Sequence, residues 1–263
     1  MGNPRNAYFA DHNYLSNSML KTFDKKPSLY EALFVTHSMP SPPPTDPMIV
    51  GSMTHTLVFE PEKIADDWAV HDFNPRSGGA WKAYVKEHAD KMLFRRQDMT
   101  NCEAIAAAVR ADTDARKFLN APNSEAEKEI RWEQDGITRK AKVDLFIPLH
   151  SKHCVLCDLK TTADSSPKTW EKQCRNMNYH RQAAWYCDAA RSLGYTQIEW
   201  FYIIVETDPP HDVYVTRATE EELMDGEIEN NETLRRWVEC RDTGIWKRPE
   251  QIGVWDNPVP AWA

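Results

Sequence analysis

The spacing of apolar positions changes near residue 120, and this change divides the chain into a helical part and a mixed part. Before residue 120, apolar residues recur every three or four positions, as they do between Ser16 and Tyr30, and this spacing is typical of amphipathic helices. Ser16 is a suitable N-cap for this first helix. Further helices are predicted over residues 48–59, from Ser77-Gly-Gly to about residue 93, and over residues 100–119.

After residue 120, short apolar runs alternate with turn residues, as expected for strands. Asp135-Gly136 is a hairpin signal between two such runs. Ser166-Pro167 predicts a long helix to about Leu193, because proline is tolerated at the first helical position. Thr219 begins a capping box that opens a charged helix to about Asp242. The predicted strands cover residues 125–134, 137–148, 154–160, 197–206 and 212–217. Helices around a central mixed β-sheet predict an α/β fold.

Composition and charge narrow the class of protein. The 263 residues include 41% hydrophobic residues, enough for a substantial core. No apolar run is long enough to span a membrane, and the N-terminus lacks a secretory stretch, so a cytoplasmic protein is expected. The six scattered cysteines favour a reduced chain, with Cys154 and Cys157 as buried thiols rather than metal ligands. No linker interrupts the sequence, and we predict a single domain over residues 1–263.

The net charge of −8 argues against a uniformly basic nucleic-acid-binding surface. A protein that binds nucleic acid at a single site needs only a local basic track, however, and basic residues do concentrate in one part of the chain. They are Arg139, Lys140, Lys142, Lys168, Lys172, Arg175 and Arg181.

Candidate chemistry centres on Asp144, Asp158 and Lys160. Side chains alternate along a strand, so Asp158 and Lys160 face the same way while Leu159 faces the core. If the strands of Asp144 and Asp158 pair, two carboxylates and one ammonium meet, an arrangement that suits Mg²⁺ or Mn²⁺. The alternatives are a surface acid at Asp144 and a structural ion pair between Asp158 and Lys160.

Two helical motifs accompany these strands. His55 follows Gly51 by four residues on a predicted helix, and taken alone it would more often be a core histidine. Gln182 and Tyr186 are one helical turn apart and share a face, although amphipathic patterning alone could produce that spacing. Glu60 is interpreted as an acid at a helix end.

Taken in order, these motifs resemble the PD-(D/E)xK nuclease superfamily, and within it the RecE-type (exonuclease VIII) recombination exonucleases. The matching segments are Leu15-Ser-Asn-Ser18, Gly51-Ser-Met-Thr-His55 with Glu60-Pro61, Val143-Asp144, Asp158-Leu-Lys160, Gln182-Ala-Ala-Trp-Tyr186 and the ending Pro260-Ala-Trp-Ala. The resemblance covers about residues 14–263. It implies a restriction-endonuclease-like core, with a helical part over about 14–120 and the nuclease core over about 125–217.

The resemblance also implies roles for individual residues. The implied ligands of one or two Mg²⁺ or Mn²⁺ ions are His55, Asp144, Asp158 and the carbonyl oxygen of Leu159. The implied catalytic residues are Asp144, Asp158, Lys160, Gln182 and Tyr186. Lys160 would steady the attacking water or the developing negative charge.

Three residues are predicted to contact DNA, namely Ser18, His180 and Arg181. Ser18 would hold a terminal phosphate together with Ser16 and Lys21, and His180 and Arg181 would contact backbone phosphates. Glu129 lies on the strand beside that of Asp144. It is either a neighbour of the metal ligands or part of a cross-strand salt bridge.

The function implied by the resemblance is a 5′-to-3′ exodeoxyribonuclease on linear double-stranded DNA. It would leave a 3′ overhang for a single-strand annealing protein. A ring-shaped homo-oligomer and a phage or prophage origin in a bacterial cell are implied in the same way. The alternatives are an endonuclease of the same superfamily, which would not need a DNA end, and a non-catalytic DNA-binding module. The intact set of Asp144, Asp158 and Lys160 speaks against the second.

Overall fold

A computed structural model of the chain describes residues 4–248, with side chains described from residue 7 onward. The helices of this part are α1 Pro4–Ala10, α2 Asn17–Lys25, α3 Pro27–Tyr30, α4 Asp46–Phe59, α5 Ile64–Asp67, α6 Gly78–Glu87, α7 Met99–Ala111, α8 Ala115–Leu119, α9 Pro167–Asn176, α10 Tyr179–Ser192 and α11 Glu220–Thr243. Its strands are β1 Leu15–Ser16, β2 Trp68–His71, β3 Met92–Arg95, β4 Glu125–Gln134, β5 Ile137–His150, β6 His153–Thr162, β7 Gln197–Glu206 and β8 Val213–Arg217. The Pro260-Ala-Trp-Ala ending lies outside the described residues.

A mixed sheet forms the centre of the fold. Along one edge β5 pairs first with β1 and then with β6, which is followed in the sheet by β7 and β8. Along its other edge β5 pairs with β4. The β6–β7 and β1–β5 pairs are parallel, and the other neighbours are antiparallel. Helices pack on both faces of this sheet. The predicted α/β fold, with a restriction-endonuclease-like mixed sheet flanked by helices, is therefore confirmed.

The alternation of side chains along β7 shows how the sheet divides the core. Trp200, Tyr202 and Ile204 belong to the cluster on the side of α2, α10 and α11. Ile203 and Val205 belong to the cluster on the side of α4 and α7. All five side chains are buried, so this strand has no solvated face, as expected for the interior of an α/β sheet.

Local signals predicted several boundaries correctly. The Ser16 hydroxyl accepts a hydrogen bond from the Met19 amide at 3.3 Å, and the Thr219 hydroxyl accepts one from the Glu222 amide at 3.1 Å, so both are N-caps. Asp135 has a φ angle of 54° and Gly136 one of 69°, which is the backbone required by the predicted two-residue hairpin turn.

Four predicted helices are divided or end earlier than their apolar patterns suggested, and one of them is the helix from Ser77, which ends at Glu87. The helix expected from Ser166 to Leu193 divides at Asn178, whose left-handed φ of 56° ends α9 and redirects the chain into α10. The helix expected to reach Tyr30 ends at Lys25, because Lys26 is extended before Pro27. The segment 100–119 divides into α7 and α8.

A second, two-stranded sheet was not predicted. It pairs β2 with β3 in parallel, and β3 occupies the end of the segment that was expected to be helical up to residue 93. Such a pairing joins segments more than twenty residues apart, and each strand is only four residues long. No helix within residues 4–248 combines the length and apolarity needed to cross a membrane.

Candidate active site

The candidate site lies where β5 and β6 diverge. Their hydrogen-bonded register ends at the Leu145–Cys157 pair. Beyond this pair the Asp144 carboxylate accepts a hydrogen bond from the Leu159 amide at 2.8 Å, so a side chain occupies the place of a backbone partner. We call this point the strand fork. Nearer the start of β5, strand β1 pairs with Arg139 and Lys140. The strand fork therefore lies between the segment of β5 that pairs with β1 and the segment that pairs with β6.

His55 reaches the strand fork from α4. Its Nδ1 atom lies 3.3 Å from Asp144 Oδ2, and its Nε2 atom lies 2.8 Å from the carbonyl oxygen of Leu159. Burial, followed by the charge of Lys160, lowers the pKa of His55, and the neutral imidazole is the form that binds metals. Gly51 lies one turn earlier, where an added Cβ would be 3.5 Å from Thr161 Oγ1.

Glu127 is a site residue that the sequence reasoning missed. It lies across from Asp144 in the β4–β5 hairpin and has a left-handed φ of 51°. Ligand atoms of His55, Glu127 and Asp144 all lie within 4.8 Å of one another. Lys142 pairs with Glu127 at 2.8 Å. The signal was present, because a two-residue turn at Asp135-Gly136 sets the hairpin register and thereby places residue 127 opposite residue 144.

Glu129, the acid that the sequence did single out on this strand, has a different position. It is exposed and pairs with Arg131 at 3.3 Å. Of its two predicted roles, the salt bridge is therefore the one observed, although the partner is on the same strand. Glu60, at the end of α4, pairs with Lys63 and is a helix-end acid as interpreted.

Asp158 and Lys160 lie on one face of β6, as their alternation predicted. The Lys160 ammonium is in direct contact with Asp158 Oδ2, and the Gln182 side-chain amide donates to Asp158 Oδ1 at 3.0 Å. Asp158 is only 1% exposed, so both partners matter to a charge that water cannot solvate. Gln182 thus connects α10 to the strand fork.

The electrostatics of the site are unbalanced. Burial raises the pKa of Asp144 to about 7, with the charge of Glu127 adding to the effect and that of Lys160 opposing it. Burial, with the charge of Asp144, raises the pKa of Asp158 to about 6, again against Lys160. Burial alone would lower the pKa of Lys160, but the charges of Asp158 and Asp144 outweigh it and raise that pKa. The carboxylates at the strand fork therefore lack positive charge.

A cleft of about 570 Å³ opens onto these residues. His55, Asp144, the Leu159 segment, Lys160, Gln182 and Tyr186 line it. The Tyr186 ring packs edge-on against Trp200, with ring centroids 5.6 Å apart. Burial holds the pKa of Tyr186 well above its ordinary value, so its hydroxyl keeps the proton.

Ser18 lies at the mouth of the cleft, where its hydroxyl is 3.0 Å from that of Ser16. Lys21 also lines the cleft and donates to the carbonyl oxygen of Met177 at 2.7 Å. Burial, then the charges of Lys160 and Arg181, lower the pKa of Lys21 to about 8. An ammonium whose pKa is lowered in this way is short of negative charge, which a bound phosphate would supply.

His180 and Arg181 are not in the cleft. His180 is 2% exposed, with its Nε2 atom 3.2 Å from Glu229, and Arg181 is 3% exposed. The Arg181 guanidinium donates to Asp24 at 2.7 Å, to Asn230 at 3.1 Å and to Thr233 at 2.9 Å. The predicted phosphate contacts are corrected accordingly, because both side chains face α11 and α2 rather than a surface that DNA could reach.

The donors at the strand fork fit a divalent cation. An imidazole nitrogen and the carboxylates of Glu127 and Asp144 lie together there. The carbonyl oxygen of Leu159 lies beside them, where it accepts a hydrogen bond from His55 Nε2. Carboxylate and carbonyl oxygens suit Mg²⁺ and Mn²⁺, and imidazole is compatible with Mn²⁺ in particular. The two acids with raised pKa values are the groups that such a charge would stabilise.

Comparison with known proteins agrees with this geometry. The family described as "PDDEXK-like domain of unknown function (DUF3799)" matches residues 16–254. A crystal structure of a protein from Eubacterium rectale, described as a "Putative exonuclease", has a TM-score of 0.65 at 15% identity, covering 95% of this chain and 92% of the other. The crystal structure of SSO0001 has a TM-score of only 0.30, at 13% identity over 59% of this chain and 83% of the other. No curated protein matches the sequence.

Proposed function

The chain belongs to this PDDEXK-like family, and from that premise we propose that it is a divalent-metal-dependent exodeoxyribonuclease of the RecE type. Its substrate would be the end of linear double-stranded DNA, degraded from 5′ to 3′ to leave a 3′ overhang. The description of the Eubacterium rectale protein supports an exonuclease in general terms. The polarity and the RecE type rest on the sequence resemblance.

One observation carries the proposal. His55 from α4, Asp144 from β5 and the Leu159 carbonyl from β6 meet at the strand fork, beside the ion pair of Asp158 and Lys160. Three separate elements therefore deliver cation ligands and one ammonium to a single cleft. A structural ion pair would explain Asp158 and Lys160, but it would not explain the histidine and the carbonyl.

Hydrolysis adds water across a phosphodiester: the water oxygen bonds to phosphorus, the bond to the 3′ oxygen breaks, and that oxygen takes up a proton. A bound divalent cation supplies charge stabilisation and lowers the pKa of its water. Lys160 places a positive charge where the phosphate gains negative charge. Gln182 orients Asp158, and Tyr186, still protonated, can donate a hydrogen bond to a phosphate oxygen.

The lysines of the cleft explain how an acidic protein would hold DNA. Lys21, Lys142 and Lys160 line the cleft, whereas the net charge of the chain is −8. Ser18 and Lys21 stand at its mouth, where we propose that they hold the terminal phosphate. Binding should weaken steeply with salt, because each phosphate contact releases counterions.

The test uses linear duplex labelled at either the 5′ or the 3′ end, with Mg²⁺ or Mn²⁺ and with chelator. The proposal expects metal-dependent release of the 5′ label as mononucleotide and no cut in a covalently closed circle of the same sequence. Cleavage of the closed circle would favour the endonuclease alternative. A protein that binds DNA but cleaves neither substrate with any divalent cation would be the non-catalytic module.

The remaining partners are proposals of the same kind, supported by the RecE-type resemblance alone. They are a single-strand annealing protein, a ring-shaped homo-oligomer and a phage or prophage origin with action in the bacterial cytoplasm. A ring would let a central channel be basic while the outer surface stays acidic. Sedimentation velocity at micromolar concentration measures the subunit number, and a monomer under those conditions would contradict the ring.

A further inference from the structure

Tyr179 has no role in the function described so far, yet its ring is firmly fixed beside the cleft. It is the first residue of α10, directly after the left-handed Asn178. Its ring stacks on Trp170 of α9, with centroids 5.6 Å apart and planes 21° apart. Trp170 is buried and packs edge-on against Tyr202 of β7. The Tyr179 ring is therefore held against the core and has little freedom to turn.

Two cleft lysines lie near this ring. The Lys160 ammonium is 4.8 Å from the Tyr179 ring centroid, and the Lys21 ammonium is 5.9 Å from it. Both distances are within the range of about 6 Å for cation–π attraction. Lys160 is mostly buried, with 14% of its side chain exposed, so water competes weakly for its ammonium. The ring face is the part of Tyr179 that lies within cation–π distance of Lys160.

The ring differs in kind from the other partner of Lys160. That partner, Asp158, is an expected cation ligand, and a carboxylate committed to a cation attracts an ammonium less. An aromatic face carries no formal charge and does not bind Mg²⁺ or Mn²⁺, whose ligands are oxygens and imidazole nitrogens. It can therefore hold Lys160 in place without competing for the cation.

We propose that Tyr179 is a positioning residue whose ring face, together with Asp158, holds the Lys160 ammonium beside the strand fork. The inference rests on the proposed nuclease function for its consequence in catalysis. Its structural part, that the ring restrains Lys160, concerns the protein alone. The hydroxyl is not required, so phenylalanine should serve in its place.

The kinetic test compares Tyr179→Leu with Tyr179→Phe on end-labelled duplex. Tyr179→Leu should lower kcat by about tenfold with KM within twofold of wild type, the size of a partly desolvated cation–π contact. Tyr179→Phe should rescue kcat. The matched control is Tyr195→Leu, which removes an aromatic contact with Phe146 at 5.4 Å, outside the lining of the cleft, and should keep wild-type kcat.

A replacement that keeps the shape of the ring separates electrostatics from packing. Tyr179→pentafluorophenylalanine, introduced by nonsense suppression, fills the same space as Tyr179→Phe but withdraws the negative charge of the ring face. It should behave like Tyr179→Leu in kcat while keeping the melting temperature of Tyr179→Phe. Equal kcat values for the two ring variants would overturn the inference.

A readout without metal or DNA completes the test. In chelator, the rate at which an acylating reagent modifies Lys160 is followed by peptide mass spectrometry, with Lys168 as an exposed reference in the same molecules. Tyr179→Leu should raise the relative rate at Lys160 several-fold, and Tyr179→Phe should not. If wild-type protein lacks nuclease activity, the proposed function fails and this measurement still decides whether the ring restrains Lys160. If wild type is active and Tyr179→Leu matches it in both assays, the positioning role alone is refuted.

Discussion

Two polar regions meet on α10, and they differ in how completely the protein satisfies them. On one side of the helix, Gln182 and Tyr186 face the cleft at the strand fork. On the other side, His180 and Arg181 face α11 and α2. Both regions bury charged groups, and the sequence predicted a functional role for residues of both. The helix therefore offers an internal comparison between a candidate site and a purely structural network.

The structural network is closed. Arg181 uses its guanidinium on Asp24, Asn230 and Thr233, and the Asn230 side-chain amide returns a hydrogen bond to the carbonyl oxygen of Arg181 at 2.8 Å. Burial raises the pKa of Asp24, but the hydrogen bonds and charges of Arg181 and Arg236 outweigh burial and lower it. Each guanidinium nitrogen of Arg181 therefore donates to a side chain of the protein.

At the strand fork, by contrast, the charged groups are not fully compensated by their neighbours. The pKa values of Asp144 and Asp158 are raised and that of Lys21 is lowered. In each of these three groups the shift disfavours the charged form. Such residues lower the free energy of unfolding of the ligand-free protein. Binding of a cation or a phosphate would restore that stability. Perturbed charge, rather than burial of charge, distinguishes the candidate site from the network behind it.

The largest effect is expected from Lys160→Ala. Removing the ammonium should lower the cleavage rate by about 10²- to 10³-fold, since a charge placed at the transition state is worth that much in related sites. DNA affinity measured in Ca²⁺ by fluorescence anisotropy should change little. Lys168→Ala, an exposed lysine on α9, is the control. Unchanged cleavage by Lys160→Ala would remove this residue from the mechanism.

The closed network should respond in stability instead. Arg181→Met should lower the free energy of unfolding by about 3 kcal/mol, because its polar partners are left buried and unpaired. Arg191→Met on the same helix breaks only half-exposed ion pairs with Asp188 and Glu227 and should lower it by less than about 1 kcal/mol. Urea titration measures both. A weaker salt dependence of DNA binding in Arg181→Met would instead indicate a phosphate contact.

Asp144→Asn should stabilise the metal-free protein while abolishing cleavage. The folded pKa of about 7 lies above the ordinary 3.8, so the folded state holds a proton that the unfolded chain releases. Wild-type stability in chelator should therefore fall as pH rises from about 4 to about 7. Asp144→Asn should remove the part of this fall that Asp144 causes and leave the smaller part that Asp158 causes. The gain should be on the order of 2 kcal/mol at pH 8 and smaller at pH 5. Denaturation at both pH values measures it, and an equal change at both would contradict the assignment.

The last comparison concerns one glycine in each region. A Cβ at Gly226 would lie 2.4 Å from the carbonyl oxygen of His180, where α10 and α11 are packed closely. Gly226→Ala should lower the free energy of unfolding by about 1–3 kcal/mol. A Cβ at Gly51 meets Thr161 only at ordinary contact distance, so Gly51→Ala should change stability by less than about 1 kcal/mol. Thermal melts of the two variants give the comparison, and equal losses would show that the cleft is as tightly packed as the network.

Much of the site was readable in the sequence because its information is local. Alternation places Asp158 and Lys160 on one face of β6, and helical spacing places Gln182 beside Tyr186. The caps at Ser16 and Thr219 depend on residues three positions away. The α/β fold followed from such signals added together.

The rest depends on information that is not local. Nothing near Asn178 shows that its backbone is left-handed, yet this one residue decides that His180 and Arg181 turn away from the cleft. Lys140 belongs to the basic stretch before Asp144, but it is buried and donates to the carbonyl oxygens of Tyr8 and Asp11. Both outcomes depend on which segment, distant in sequence, packs against these residues. The sequence alone does not show which segments come into contact.

The turn at Asn178 also limits what this protein can vary. Helix α10 contacts the strand fork on one side and α2 and α11 on the other. Rotating α10 by a single residue would therefore break the contact of Gln182 with Asp158 and that of Arg181 with Asp24 together. The contacts of Arg181 on one side of α10 thereby fix the orientation of Gln182 on the other side. Helix α4 is free of this double role, because it contributes His55 to the cleft and no partner to Arg181, so adapting the cleft to another substrate would disturb the fold least through α4.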